Sequence, residues 1–274
     1  MKTRIVAAAI LVPFLFLVVL VAPEIVAAVV LGILLAIAAY ELLYRTDLVK
    51  HTRLVIYSSV MAFAISMWSY MEAVRAYFLL MLLVYFALLF AEMMLDHIKV
   101  RFEMLGMCFV AGVIIPYMLS ALIRILMLNI GRYVILIPFI VAFLSDAGAY
   151  FTGLKFGKHK LAPVVSPNKT IEGVLGGIAS AVAGMLIYAV ILDLPLHFTV
   201  NYGVALLYGL IGSLAGTFGD LCFSIIKRQT GIKDYGNLIP GHGGILDRFD
   251  SMTVVGPVTE LLLLLLPFAE IVHG

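Results

Sequence analysis

Long apolar runs dominate this sequence, and most of them approach the length that an α-helix needs to cross a bilayer. A hydrocarbon core about 30 Å thick requires roughly 20 apolar residues per helix. Hydrophobic residues make up 64% of the 274 positions, which is more than the interior of a soluble globular domain could bury. We therefore predict an all-α, polytopic integral membrane protein.

Nine apolar runs approach this length. We predict transmembrane helices at residues 5–22, 25–44, 54–70, 76–95, 105–128, 133–150, 171–192, 202–226 and 252–272. The first run follows Lys2 and Arg4 like a signal peptide, but its apolar core is long and no clear small-x-small cleavage site follows, so we expect it to be retained. We divide the chain into residues 1–130, with about five helices, and residues 131–274, with about four helices and the functional site.

The basic residues are distributed unevenly between the two sides that this helix order creates. If the N-terminus is cytoplasmic, all of the 18 Lys and Arg residues except Arg75, Arg124 and Arg132 lie on the cytoplasmic side. Such an excess is typical of cytoplasmic segments. We therefore predict a protein of the cytoplasmic (inner) membrane whose two longest loops, residues 151–170 and 227–251, face the cytoplasm. The net charge of +2 gives no reason to expect a nucleic-acid partner.

Residues 218–250 concentrate charge in a chain that otherwise has little of it. Charged residues form 12% of the protein, about half the usual share. This stretch nevertheless holds four acids and four bases, namely Asp220, Asp234, Asp247, Asp250, Lys227, Arg228, Lys233 and Arg248. Glycines are frequent among them, so the backbone can approach a ligand closely. We predict the functional site in this stretch.

The spacing of these acids suggests a cation site. Asp220, Ser224 and Lys227 share one face of the eighth predicted helix as it reaches the cytoplasm. An acid inside an apolar helix is costly unless it is paired or bound to a cation. Asp247 and Asp250 are expected on one side of a helical turn at the start of the last helix. Together the carboxylates suit Mg²⁺, which proteins bind through one or two carboxylates plus substrate phosphates.

A second polar cluster lies upstream and extends from Asp146 to the start of the predicted helix 171–192. Its polar members near that helix are Ser166, Asn168, Lys169, Thr170 and Glu172. Ser166 and Pro167 match a helix start, with proline at the first helical position. The residues after them would then lie at a helix N-terminus, which favours phosphate. A capped helix with bases at the membrane surface fits this pattern equally well.

Four isolated polar residues have separate interpretations. His242 has no second His or Cys at ligand spacing, so we expect a loop or substrate contact rather than a zinc ligand. Glu260 lies near the middle of the last predicted helix, where a functional acid and a buried hydrogen bond are equally compatible. Glu41 and Glu92 lie near cytoplasmic helix ends, and we expect them to be structural, either snorkelling or pairing with a base.

Both clusters carry charged residues at fixed offsets. The downstream cluster contains Ser224-x-x-Lys227-Arg228, Lys233-Asp234-x-Gly236 and Pro240-x-His242-Gly243-Gly244-x-x-Asp247-Arg248-x-Asp250. The upstream cluster contains Asp146-x-x-Ala149-Tyr150, Phe156-Gly157 and Ser166-Pro167-x-Lys169-Thr170-x-Glu172-Gly173. This pattern resembles the phosphatidate cytidylyltransferases, also called CDP-diacylglycerol synthases. The resemblance covers residues 145–251, and the N-terminal half matches only in being hydrophobic.

The resemblance implies an enzyme of phospholipid biosynthesis that converts CTP and phosphatidic acid into CDP-diacylglycerol and pyrophosphate with Mg²⁺. Catalytic roles are assigned to Asp220, Lys227, Arg228, Asp247, Arg248 and Asp250. Substrate-binding roles are assigned to Ser166, Asn168, Lys169, Thr170, Glu172, Ser224, Lys233, Asp234, His242, Gly243 and Gly244. Asp220 and Asp247 are the leading metal ligands, followed by Asp250 and Asp146. A second cation and a homodimer are left open.

Two other classes of membrane protein are alternatives. A transporter for nucleotides or organic anions would also carry intramembrane acids, but it predicts internal two-fold pseudo-symmetry, and we find no convincing repeat. Another lipid enzyme, such as a CDP-alcohol phosphotransferase or a polyprenol kinase, is the second alternative. The former usually shows an Asp-Gly-x-x-Ala-Arg pattern, which this sequence lacks.

Overall fold

A computed structural model describes residue 9, residues 13–239, residue 241 and residues 243–271. Helices form most of the described chain and the strands are short, which confirms the predicted all-α class. A π-helical turn at Leu17–Val21 precedes the first labelled helix, and a 3-10 helix spans Glu72–Tyr77. The helices are α1 (Glu24–Arg45), α2 (Thr52–Tyr70), α3 (Phe78–Leu95), α4 (Phe102–Leu126), α5 (Gly131–Phe156), α6 (Ile171–Asp193), α7 (Tyr202–Gln229), α8 (Leu246–Phe249) and α9 (Met252–Leu265).

Among the described residues, six helices, α1 and α3 to α7, are long and apolar enough to cross a membrane. They occupy six of the predicted spans, so the protein is a multi-pass membrane protein. Helix α2 fills the predicted span 54–70. It is continuous but contains four serines, and it is not among the six. Most of the predicted span 5–22 lies outside the described residues. The count of nine spans therefore stays a prediction.

The last helix is shorter than the predicted span 252–272. Helix α9 has 14 residues and ends at Leu265, and Leu266 leaves the helical conformation with φ −140° and ψ 68°. Pro267 follows, and a residue before proline is pushed out of the α region by steric clash. The chain then forms a strand at Ala269–Ile271.

Two small antiparallel sheets complete the secondary structure. Strand β1 (Lys160–Ala162) pairs with β2 (Ser166–Thr170), and β3 (Phe198–Val200) pairs with β4 (Ala269–Ile271). The predicted helix start at Ser166 and Pro167 is therefore wrong. Those residues belong to a hairpin, and α6 begins at Ile171 because the Thr170 hydroxyl accepts a hydrogen bond from the Gly173 amide at 3.1 Å and caps it.

The chain forms two compact units. The first contains residues 1–127 and 227–249, and the second contains residues 128–226 and 250–274. Helices α1 to α4 and α8 belong to the first unit. Helices α5, α6 and α9 and all four strands belong to the second unit. Helix α7 is continuous and passes from the second unit to the first at residue 227.

Small residues let the helices of the first unit approach closely. A Cβ on Gly32 of α1 would lie 2.7 Å from the ring of Phe63 on α2. The Ser66 hydroxyl of α2 donates to the Ala28 carbonyl of α1 at 2.7 Å. Close backbone approach with polar cross-links is characteristic of packed membrane helices.

The second unit uses the same device around the end of α5 that carries the polar cluster. A Cβ on Gly177 would lie 2.8 Å from the Ser145 carbonyl, and a Cβ on Gly173 would lie 3.0 Å from the Ala149 carbonyl. The hydroxyls of Ser145 and Ser213 are 2.6 Å apart and connect α5 to α7. Helices α5, α6 and α7 are thereby held together where their polar residues lie.

Candidate active site

The second unit contains a cavity of about 300 Å³ that receives residues from both predicted clusters. Its polar lining residues are Ser145, Asp146, Tyr150, Asn168, Lys169, Thr170, Thr217 and Asp220. They come from α5, from β2 and from α7. The fold therefore places Asp146, Asn168 and Lys169 of the upstream cluster in one cavity with Asp220 of the downstream cluster.

Lys169 and Asp220 form an ion pair within this cavity, and their side chains are 24% and 31% exposed. The Ser224 hydroxyl, one turn further along α7, donates to Asp220 Oδ1 at 3.3 Å. An acid in an apolar helix is costly unless it is paired, and Lys169 and Ser224 supply the partners that Asp220 needs. Because the pair is partly exposed, a ligand in the cavity can reach it.

The β1–β2 hairpin presents Lys169 to the cavity, and Glu172 secures the start of that hairpin. The Glu172 carboxylate accepts from the backbone amides of Lys158 and His159 at 3.1 and 3.2 Å. It also lies 2.6 Å from His159 Nδ1. Glu172 was predicted to bind substrate, and in the structure it ties the end of α5 to the first turn of α6.

A second ion pair lies in the first unit, between Lys227 and Asp247. Lys227 Nζ lies 3.0 Å from Asp247 Oδ1, and the two side chains are 15% and 2% exposed. Asp247 Oδ2 accepts from the backbone amides of Tyr235 and Gly244 at 2.7 and 3.0 Å. The Lys227 ammonium also lies 5.4 Å from the centre of the Tyr235 ring, a cation–π distance. Asp247 is thus fixed through both of its oxygens.

The glycines of residues 236–244 let the loop close around that carboxylate. Gly243 has φ +87°, and a Cβ at this position would lie 2.8 Å from Asp247 Oδ2. The Ile239 amide donates to the Gly243 carbonyl at 3.0 Å. Gly243 therefore meets two requirements, a left-handed backbone and a close approach. The predicted contact residue His242, and Pro240 beside it, lie outside the described residues.

Glu41 contacts the loop that precedes Asp247, and no pattern in the sequence indicated this contact. Its carboxylate accepts from the backbone amides of Ile245 and Leu246 at 3.1 and 2.9 Å. Glu41 was predicted to be structural, by snorkelling or by pairing with a base. The side chain is buried and does not snorkel, and these two partners are backbone amides rather than a base. Glu92 pairs with Arg53 at 3.4 Å, as predicted. A lone acid near a helix end gives no signal for backbone partners, so the sequence could not separate the two glutamates.

The remaining predicted residues lie outside the two ion pairs. Arg228, Lys233, Asp234 and Arg248 are exposed. Helix α8 ends at Phe249, one residue before Asp250. That Asp247 and Asp250 project from one side of a helical turn stays a prediction. Asp250 belongs to the second unit, and its Oδ1 accepts from the Ser251 amide at 2.8 Å. Glu260 lies within α9.

The donor set of the cavity fits a hard cation only with help from a ligand. Among the described residues, no three His, Cys, Asp or Glu side chains form a group that could hold a metal. Asp146 and Asp220 line one cavity, and Mg²⁺ commonly takes one or two carboxylates and completes its shell with water and substrate phosphates. Asp247 lies in the other unit, so a cation shared by Asp220 and Asp247 stays a prediction.

Comparison with known proteins places these residues in a known context. The family described as the cytidylyltransferase family matches residues 2–266. Proteins named phosphatidate cytidylyltransferase from Staphylococcus haemolyticus, Staphylococcus epidermidis and Staphylococcus aureus are 47%, 46% and 46% identical to the chain over 134 residues. That alignment covers 49% of this chain and 50% of each relative. The matched part is therefore about half the length of those relatives.

Proposed function

The chain belongs to the cytidylyltransferase family, and we propose that it is a phosphatidate cytidylyltransferase. It would convert CTP and phosphatidic acid into CDP-diacylglycerol and pyrophosphate. The observation that carries this proposal is the cavity in which Lys169 and Asp220 form a partly exposed ion pair. A base that can bind phosphate and an acid that can bind a cation are the two groups that a nucleoside triphosphate requires.

The membrane setting supports a lipid substrate. The lipid keeps its acyl chains in the bilayer while the nucleotide arrives from water, so the reaction needs a polar site among helices that span the membrane. The cavity lies among α5, α6 and α7, which are long and apolar enough to do so. We place the N-terminus and the site on the cytoplasmic side of the inner membrane, because the basic residues concentrate there.

The reaction needs alignment more than it needs a general base. A phosphate monoester has a second pKa of about 6, as in phosphoamino acids, so its oxygen is already a nucleophile at neutral pH. That oxygen forms a bond to the α-phosphorus of CTP, the bond from the α-phosphorus to the bridging oxygen breaks, and pyrophosphate leaves. Catalysis then rests on positioning and charge neutralisation.

Each residue of the two ion pairs has a role in this scheme. Asp220 and Asp247 would hold Mg²⁺, with Asp146 beside Asp220 in the cavity. Mg²⁺, when bound, supplies neutralisation of charge on the phosphates of the nucleotide. Lys169 and Lys227 would bind phosphate oxygens, and the exposed Arg228 and Arg248 would add positive charge around them.

The proposal is tested by transfer of label into lipid. Purified protein in detergent is incubated with phosphatidic acid, magnesium and CTP labelled at the α-phosphorus, and the lipid phase is counted. We expect label in the lipid, and none when the γ-phosphorus carries it. Lys169→Ala should lower the rate about a hundredfold. Lys50→Ala should leave it unchanged, because Lys50 is 68% exposed and pairs with Asp47.

The contrary result is equally clear. If lipid stays unlabelled with α-labelled CTP, the proposed activity is wrong. Transfer from ATP and GTP at the same rate as from CTP would refute the choice of nucleotide and leave nucleotidyl transfer standing.

A further inference from the structure

Glu41 is a buried acid in the π-helical turn Glu41–Arg45 that ends α1. Its side chain is 3% exposed. Oε1 accepts from the Ile245 amide at 3.1 Å and Oε2 accepts from the Leu246 amide at 2.9 Å. A carboxylate is tolerated away from water only where hydrogen bonds compensate. These two amides supply that compensation from residues 204 and 205 positions further along the chain.

The loop is shaped to receive this carboxylate. A Cβ on Gly236 or on Gly244 would collide with the Glu41 carboxylate group. Close approach, rather than backbone conformation, therefore explains both glycines. We call the space bounded by Gly236, Gly244 and the amides of Ile245 and Leu246 the Glu41 seat.

The Glu41 seat is continuous with the surroundings of Asp247. Gly244 contacts both acids, because its amide donates to Asp247 Oδ2 at 3.0 Å while its Cα faces Glu41. Leu246, whose amide binds Glu41, directly precedes Asp247. The peptide planes that bind Glu41 therefore set the backbone from which the Asp247 side chain projects. Asp247 in turn holds Lys227 at 3.0 Å.

We infer that Glu41 is a positioning residue for nucleotidyl transfer. It holds the loop around residues 235–246 so that Asp247 and Lys227 keep the geometry that the reaction uses. The inference rests on the proposed function, in which those two residues bind the cation and phosphate. Because a displacement of about 1 Å can cost about a hundredfold in rate, the loss of Glu41 acts on turnover through residues that it orients.

Glu41→Gln tests the inference, because it keeps the side-chain length and replaces one acceptor oxygen with an NH2 group that faces an amide donor. We expect kcat to fall about a hundredfold while KM for CTP stays within about threefold. Hydrogen exchange of the amides of Gly244, Ile245 and Leu246 should accelerate.

Glu92→Gln is the matched control, because Glu92 is another buried acid of the first unit. It is 6% exposed and its partners are Arg53 and Tyr57. This variant is expected to change thermal stability, with kcat of the folded protein within about threefold of wild type. Exchange at residues 244–246 should remain as in the wild type.

Three results would overturn the inference. One is a kcat for Glu41→Gln that matches the Glu92→Gln control. Another is unchanged exchange at residues 244–246 in Glu41→Gln. The third needs no variant: rapid exchange of the Ile245 and Leu246 amides in wild-type protein would show that the Glu41 seat is open. Absence of lipid labelling by the wild type would refute the proposed function instead, and exchange would still test the Glu41 seat.

Discussion

The two lysine–aspartate pairs, one in each unit, have the same chemistry and different surroundings. Lys169 and Asp220 line a cavity, with side chains 24% and 31% exposed, and Asp220 also accepts from a serine hydroxyl. Lys227 and Asp247 are 15% and 2% exposed, and Asp247 also accepts from two backbone amides of its own loop. The first pair can exchange partners with little rearrangement. The second pair is built into the conformation of the loop.

Two ion pairs of the same residue types can therefore contribute differently to stability and to the reaction. An exposed ion pair contributes about 0–1 kcal/mol to stability, whereas removal of one partner from a buried pair costs several times more. Asp220 is therefore expected to matter for the reaction and little for the fold. Asp247 is expected to matter for both. Three experiments separate these roles.

Asp247→Ala should have the largest effect. It removes a buried carboxylate that pairs with the Lys227 ammonium and accepts from the amides of Tyr235 and Gly244. We expect the free energy of unfolding to fall by about 3–5 kcal/mol, together with loss of transfer activity. Thermal unfolding in detergent measures the first effect. Asp247→Asn, which keeps one acceptor oxygen, should be less destabilised. An Asp247→Ala protein as stable as wild type would show that the buried pair does not stabilise the fold.

Asp220→Asn should affect turnover and spare the fold. We expect the rate at ordinary magnesium to fall about 10²- to 10³-fold, with the free energy of unfolding within about 1 kcal/mol of wild type. Rates measured across a magnesium titration, beside thermal unfolding, test both statements. Asp193→Asn is the control, because Asp193 accepts from the Tyr202 hydroxyl at 2.6 Å at the end of α6. Near-normal turnover of Asp220→Asn would remove Asp220 from the metal site.

Gly243→Ala and Gly231→Ala should have the smallest effects, and together they separate backbone strain from displacement of Asp247. Both positions have positive φ, +87° and +70°, which costs an alanine about 1–2 kcal/mol. The Gly243 Cβ would also lie 2.8 Å from Asp247 Oδ2, whereas Gly231 has no neighbour within 4 Å. We expect both variants to lower the thermal unfolding temperature, Gly243→Ala by more because of this contact, and a loss of turnover in Gly243→Ala alone. Equal turnover in both variants would show that Asp247 tolerates displacement.

The sequence could predict most of the membrane helices because insertion depends on local composition. Helix α6 was predicted at residues 171–192 and spans Ile171–Asp193. The hairpin before it was missed, because Ser166 and Pro167 fit a helix start equally well. What decides between the two is pairing with Lys160–Ala162, and no local pattern records a pairing partner.

Some residues of the candidate site could be found from composition, and others could be found only from contacts in the structure. Charge density singled out Asp220 and Asp247, because acids are expensive in an apolar chain. Lys169 was singled out as part of a predicted helix N-terminus, and in the structure it lies in strand β2. Glu41 could not be found by that reasoning. Its partners are backbone amides of Ile245 and Leu246, which every residue type except proline possesses and which therefore leave no mark in the sequence.

The separation between Glu41 and its amide donors also has a consequence for biosynthesis. Ile245 is translated 204 residues after Glu41, and at about 5–20 residues per second this interval is roughly 10–40 s. The first helix therefore reaches the membrane well before its carboxylate has a partner. A nascent chain that stops short of residue 245 lacks both donors, so this contact can form only after Ile245 and Leu246 have been made.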